Sequence, residues 1–85
     1  MEARIHGLLE NRIYDSAMSY FGKLMEAREH HTEVNVYSSG RAQGKVFALI
    51  DFAVAAGMTE DYAALLYRKA RKSFAVQHNM SEEDL

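Results

Sequence analysis

From Ile5 to Leu24, apolar residues return every three or four positions: Ile5, Leu9, Ile13, Ala17, Phe21 and Leu24. That is the period of an α-helix, and it predicts one long helix from residue 3 to about residue 29 with these side chains on one face. Tyr14, Met18, Phe21 and Met25 make a second stripe beside the first, so the apolar sector is wide. Gly7 and Gly22 each weaken such a helix by about 1 kcal/mol relative to alanine.

The pattern breaks between His30 and Tyr37. Val34, Val36 and Tyr37 favour extended backbone, so this segment reads as a connection with one short strand at 33–37, whose natural pairing partner is its copy in a second chain. Ser38 or Ser39 then caps a second helix by accepting a backbone N–H. That helix runs to about Ala56 and stops at Gly57, a residue type that ends helices in a left-handed turn. Thr59 caps a third helix, with Glu60 and Asp61 in its first turn, where the helix dipole favours acids. Ala63, Leu66, Ala70 and Phe74 form its buried stripe. Residues 77–85 are polar and acidic and read as a disordered tail. The expectation is a single all-α domain over residues 1–76, a three-helix bundle made of a long N-terminal helix and a helical hairpin.

The second helix adds a partner to this picture. From Val46 to Ala56 it is apolar nearly all the way round, whereas a surface helix of a small domain shows one wet face. A chain of 85 residues has little surface with which to cover it. Each large apolar side chain left in water forgoes about 1.5–3 kcal/mol of burial, so a second copy of the chain is the expected cover. The residues placed in that homodimer interface are Tyr14, Met18, Phe47 and Phe52. Asp51 is the one charge in the run. Either it is a carboxylate with a shifted pKa in a pocket, or it is paired or faces the only wet strip; a buried, unpaired carboxylate is costly, which favours the second reading.

Composition narrows the class. There are no cysteines, hence no disulfide and no thiolate metal site. The first residues carry charges before any apolar run, unlike a secretory signal. The longest apolar stretch, Val46–Gly57, is twelve residues broken by Asp51, too short for a membrane span. A cytosolic protein without membrane attachment is expected. Ten Lys and Arg face twelve Asp and Glu, which is not the balance of a nucleic-acid binder.

Several constellations approach the spacing of a chemical site. Ser39-Gly40-Arg41-Ala42-Gln43-Gly44-Lys45-Val46 approaches a phosphate-binding loop but lacks the first glycine and the final hydroxyl. What survives is a close-packing role for Gly40 and Gly44, or an anion-binding corner beside Arg41 and Lys45. His30 and His31 stand near Glu26, Glu29 and Glu33 without the spacing of a metal site. No Ser–His–acid or cysteine pattern offers covalent catalysis. Ala53, Gly57, Ala63 and Leu66 have the spacing of a helix-turn-helix, yet Glu60 and Asp61 stand where such a helix would meet DNA. The cationic run Arg68, Lys69, Arg71, Lys72 reads either as a solvated helix end or as a contact surface.

The resulting expectation is a non-enzymatic interaction protein with no cofactor and no metal. It is a helical homodimer that binds or inhibits another macromolecule, a profile common among small accessory proteins of bacteria and phages. Arg41, Lys45, Tyr67, Arg68, Lys69, Arg71 and Lys72 are the expected partner contacts, since arginine and aromatic side chains dominate such surfaces. A DNA-binding regulator built on the second and third helices is the alternative; nucleic acid is the disfavoured partner.

Overall fold

The computed structural model of the chain describes residues 2–85. It is an all-α three-helix bundle: α1 spans Ala3–Glu29, α2 Glu33–Ala55 and α3 Glu60–Gln77, and a short 3₁₀ turn follows at Glu82–Asp84. At about 1.5 Å rise per residue α1 is about 40 Å long, so it sets the 42 Å length of the molecule, whose other extents are 26 and 18 Å. α2 and α3 each pack along α1 and touch each other far less. The bundle is therefore a spine with two helices laid on it, and grooves remain open on both flanks of α2.

The core follows the predicted stripes except at Ile5, which is 45% exposed, and divides into two halves. Near the turn joining α2 and α3, Leu9 and Ile13 of α1 meet Ala53, Met58, Ala63 and Leu66. At the other end Ala17, Tyr20 and Phe21 meet Val46, Ala70 and Phe74. Phe21, only 1% exposed, has the rings of Tyr20, Tyr67 and Phe74 at centroid distances of 5.3, 5.4 and 5.9 Å. Alanines stand at contact positions in both halves, Ala53 and Ala63 in the first and Ala17 and Ala70 in the second, where the aromatic rings also pack.

The second and third helices end in the same way. In the first case Gly57 N–H donates to the Val54 carbonyl at 3.0 Å and Met58 N–H to the Ala53 carbonyl at 2.9 Å, with Gly57 at φ 115°. In the second, Asn79 takes a φ of 52°, its N–H donating to Val76 at 3.2 Å and that of Met80 to Ala75 at 2.9 Å. Both are Schellman turns, in which two terminal carbonyls are satisfied and the residue after the left-handed position points a hydrophobic side chain inward. Met58 and Met80 are those side chains.

Two expectations about the start of α2 are corrected. Residues 33–37 are not a strand: they are the opening turns of α2, and among the described residues there is no strand. Thr32, rather than Ser38 or Ser39, is the cap, its Oγ1 accepting the Asn35 N–H at 3.1 Å. Asn35 Nδ2 also donates to the His30 carbonyl at 2.7 Å, tying the connection to the helix it starts. The β preference of two valines and a tyrosine is worth only tenths of a kcal/mol per residue, less than a good cap and a first-turn Glu33 supply together. Ser39 sits inside α2, its hydroxyl donating to the Val36 carbonyl at 2.9 Å.

Residues 77–85, read from composition as a frayed tail, follow a defined path. After Asn79 the chain turns back, and Met80 and Leu85 pack beside the Phe21–Phe74 half of the core. Arg71 donates from Nε and Nη2 to the Glu82 carbonyl at 3.1 and 2.8 Å, and Arg28 donates to the Asp84 carbonyl.

Candidate functional site

The helix that the sequence marked as under-covered, α2, is flanked by two grooves of opposite character. Between α2 and α3 lies an apolar groove of about 570 Å³. Ile50, Val54, Ala55 and Ala64 line it together with Phe47 and Tyr67, and Asp51, Glu60 and Arg68 stand among the lining residues as its charged groups. Phe47 and Tyr67 stack at 5.9 Å with ring planes 27° apart. Phe47 is nevertheless 45% exposed.

Tyr67 bridges core and groove: its ring touches Phe21 on one side and Phe47 on the other. Burial pushes its hydroxyl pKa up, the nearby Tyr20 adds to this, and Arg71 partly offsets it. Asp51 is exposed at this groove, so it stands on the wet strip.

On the opposite flank, between α1 and α2, lies a wider polar groove of about 1120 Å³. Arg12 and Lys23 of α1 and Arg41 and Lys45 of α2 line it, with Asp15 as the only carboxylate. Its floor is small: Ser16 and Ser19 on one wall, Ala42, Gly44 and Ala48 on the other. Among the described residues none of these four cations makes an ion pair; the one such pair joins His6 Nδ1 to Glu10 Oε1 at 2.6 Å, at the far end of the molecule. There the His6 ring also stacks on Tyr62 at 5.4 Å. The Tyr62 hydroxyl, bonded to Glu10, is held above its ordinary pKa.

The partner contacts expected from sequence therefore separate. Arg41 and Lys45 face the polar groove, and Tyr67 and Arg68 the apolar one. Lys69 and Lys72 are exposed on α3. Arg71 is occupied in holding the 3₁₀ turn. α3 continues to Gln77 and has no basic residue in its last turn, so the cationic run lies too far from the helix end for the dipole to account for it.

The expected dimer residues separate too. Tyr14 and Met18 are partly buried beside the chain's own core. Phe47 lines the apolar groove, whereas Phe52, 62% exposed, lies one helical turn past Ala48, in register with the polar groove. Gly40 and Gly44 do not serve close packing within the chain: a Cβ at either position would meet nothing within 4 Å.

The sequence reading missed Arg12, Ser16, Ser19 and Lys23. Their signal was present as a polar stripe along α1 at steps of three and four, but a polar stripe gains meaning only when a second one lies beside it. The helix-turn-helix spacing of Ala53, Gly57, Ala63 and Leu66 is explained by packing, since the alanines and Leu66 share one core half and Gly57 makes the turn. Among the described residues no three His, Asp or Glu converge as a metal site, and no helix is long and apolar enough to cross a membrane. The chain matches no family model, no curated protein and no solved structure.

Proposed function

We propose that this chain is a non-enzymatic protein-interaction module that pairs with a second copy of itself through the groove between α2 and α3 and so presents its remaining surface to another protein. The observation that carries this reading is the uncovered apolar surface of α2. Phe47 stacks on Tyr67 while remaining 45% exposed, above a groove whose apolar lining is completed by Ile50, Val54, Ala55 and Ala64. A surface of this kind costs stability in water, and burying it returns about 25 cal/mol per Å². A two-fold axis through the groove would lay the same surface of each copy on the other. Asp51 and Arg68 stand among the lining residues, so opposite charges are available to meet across such an axis.

Sedimentation equilibrium over about 1–100 μM protein tests the pairing, a span that reports any dissociation constant in the micromolar range. The expected result is a concentration-dependent dimer that Phe47→Asp converts to a monomer with an unchanged helical circular-dichroism spectrum. A wild-type chain that stays monomeric throughout overturns the pairing. A DNA regulator would instead bind duplex DNA with an affinity that falls steeply with salt, and the acidic residues Glu60 and Asp61 at the exposed start of α3 speak against it.

A further inference from the structure

We infer that the polar groove between α1 and α2 is the docking site for an acidic amphipathic helix of a different protein. The inference rests on reading the chain as a protein-binding module and names the chemistry of its partner. Arg12 and Lys23 are eleven residues apart on α1, about 16 Å along the axis, with Arg41 and Lys45 on the facing wall. Four cations without an ion pair, against the single carboxylate of Asp15, make a basic strip in a chain whose net charge is −2. Such a strip selects an elongated anionic partner by complementarity of charge.

Shape makes the partner a helix. Ile5, Leu8, Arg12, Asp15 and Ser19 advance along α1 in steps of three and four. Val34, Ser38, Arg41, Lys45, Ala48 and Phe52 do the same along α2. These are the two facing seams into which a third helix packs. The floor of serine, alanine and glycine leaves room for it to approach closely, and Gly44 opens onto empty space.

The seams are basic in the middle and apolar at the ends: Leu8 and Phe52, 55% and 62% exposed, at one end and Val34, 72% exposed, at the other. An acidic helix with apolar residues near its termini matches all three zones. A second copy of the same groove does not fit, because two basic strips would face each other. Nor does a nucleic-acid duplex, which presents phosphates along its whole length and nothing apolar to meet Leu8 and Phe52 at one end and Val34 at the other.

The test is fluorescence anisotropy with three probes. They are a labelled helical peptide of about 18 residues, five helical turns, with glutamates on one face and a leucine near each end; the same peptide with lysines for glutamates; and a labelled DNA duplex. The acidic peptide is expected to bind at least about tenfold more tightly than the other two at low salt, and to weaken as salt screens the strip. Arg41→Glu combined with Lys45→Glu should reduce that affinity about tenfold or more. Gly44→Gln, whose side chain enters the groove from open space, should reduce it without lowering the melting temperature.

Equal binding of the lysine peptide, tighter binding of the duplex, no binding of the acidic peptide, or undiminished binding by both variants overturns the inference. Sedimentation of the same samples keeps the two readings apart. Lost peptide binding in a chain that still dimerises sinks this inference alone, whereas peptide binding by a monomer sinks the pairing and leaves the groove assignment standing.

Discussion

At the scale of single residues, two glycines of opposite meaning give the sharpest predictions. Gly57 stands at φ 115°, where a Cβ is strained, so Gly57→Ala should cost about 1–2 kcal/mol and lower the melting temperature. Gly44 lies inside α2 with nothing within 4 Å of where its Cβ would be. Gly44→Ala should therefore raise stability by about 0.5–1 kcal/mol; a denaturant titration showing a loss would mean that the position is already covered in solution. The tyrosines predict a response to alkali. Tyr62 and Tyr67 both hold their protons more tightly in the folded chain, the first through the Glu10 carboxylate and the second through burial. Their contribution to stability is full below the ordinary tyrosine pKa of about 10. It starts to fall as pH rises past that value and is lost once pH passes the raised folded values. Urea midpoints measured from about pH 9 to 11 should decline, and Tyr67→Phe should flatten the decline.

At the scale of elements, the capping residues decide where the helices lie. Thr59 and its first-turn acids were legible because nothing competed with them, and the Tyr62 N–H indeed donates to Thr59 Oγ1, at 3.2 Å. Thr32 was not, because the valines behind it look like a strand and two serines further on look like a better start. If Thr32 is what overrides that local preference, Thr32→Ala should cost about 1 kcal/mol and speed amide exchange at residues 34–36 while leaving the rest of α2 protected. The end of α3 teaches the converse. Asn79 terminates it in the same turn as Gly57 does α2, but an asparagine in a polar segment gives little notice of a left-handed position. Arg71 then holds the returning chain. Arg71→Ala should release residues 80–85, read as faster carboxypeptidase trimming of Leu85 with the helices still folded.

At the scale of the whole molecule, behaviour in solution turns on which apolar surface the chain covers for itself. Phe21 and Phe47 belong to one aromatic chain running through Tyr67, yet one is sealed and the other open. Phe21→Ala should remove about 3–5 kcal/mol, a large part of the about 5–15 kcal/mol that holds a small domain together, and should lower the melting temperature by about 12–40 °C. If Phe47 serves pairing, its loss should instead spare the fold and abolish the rise of melting temperature with protein concentration that a dimer shows. Phe47 and Phe52, expected from the sequence in one interface, are five residues apart on α2. The two lie on different flanks of α2, one over the apolar groove and one in line with the basic one.

The amino-acid sequence alone determined that the chain is helical, which stripe of α1 and of α3 is buried, and that α2 carries more apolar surface than its neighbours cover. Those properties depend on spacing along one helix, and a period of 3.6 residues is local information. The tertiary structure alone decided that Arg12 and Lys23 would face Arg41 and Lys45, that Arg71 would be spent on the chain's own end, and that α2 would be left with a different groove on each flank. Those outcomes depend on the offset and rotation of one helix against another. They are set by where alanines permit close approach and aromatic rings prevent it, and no single segment contains that sum.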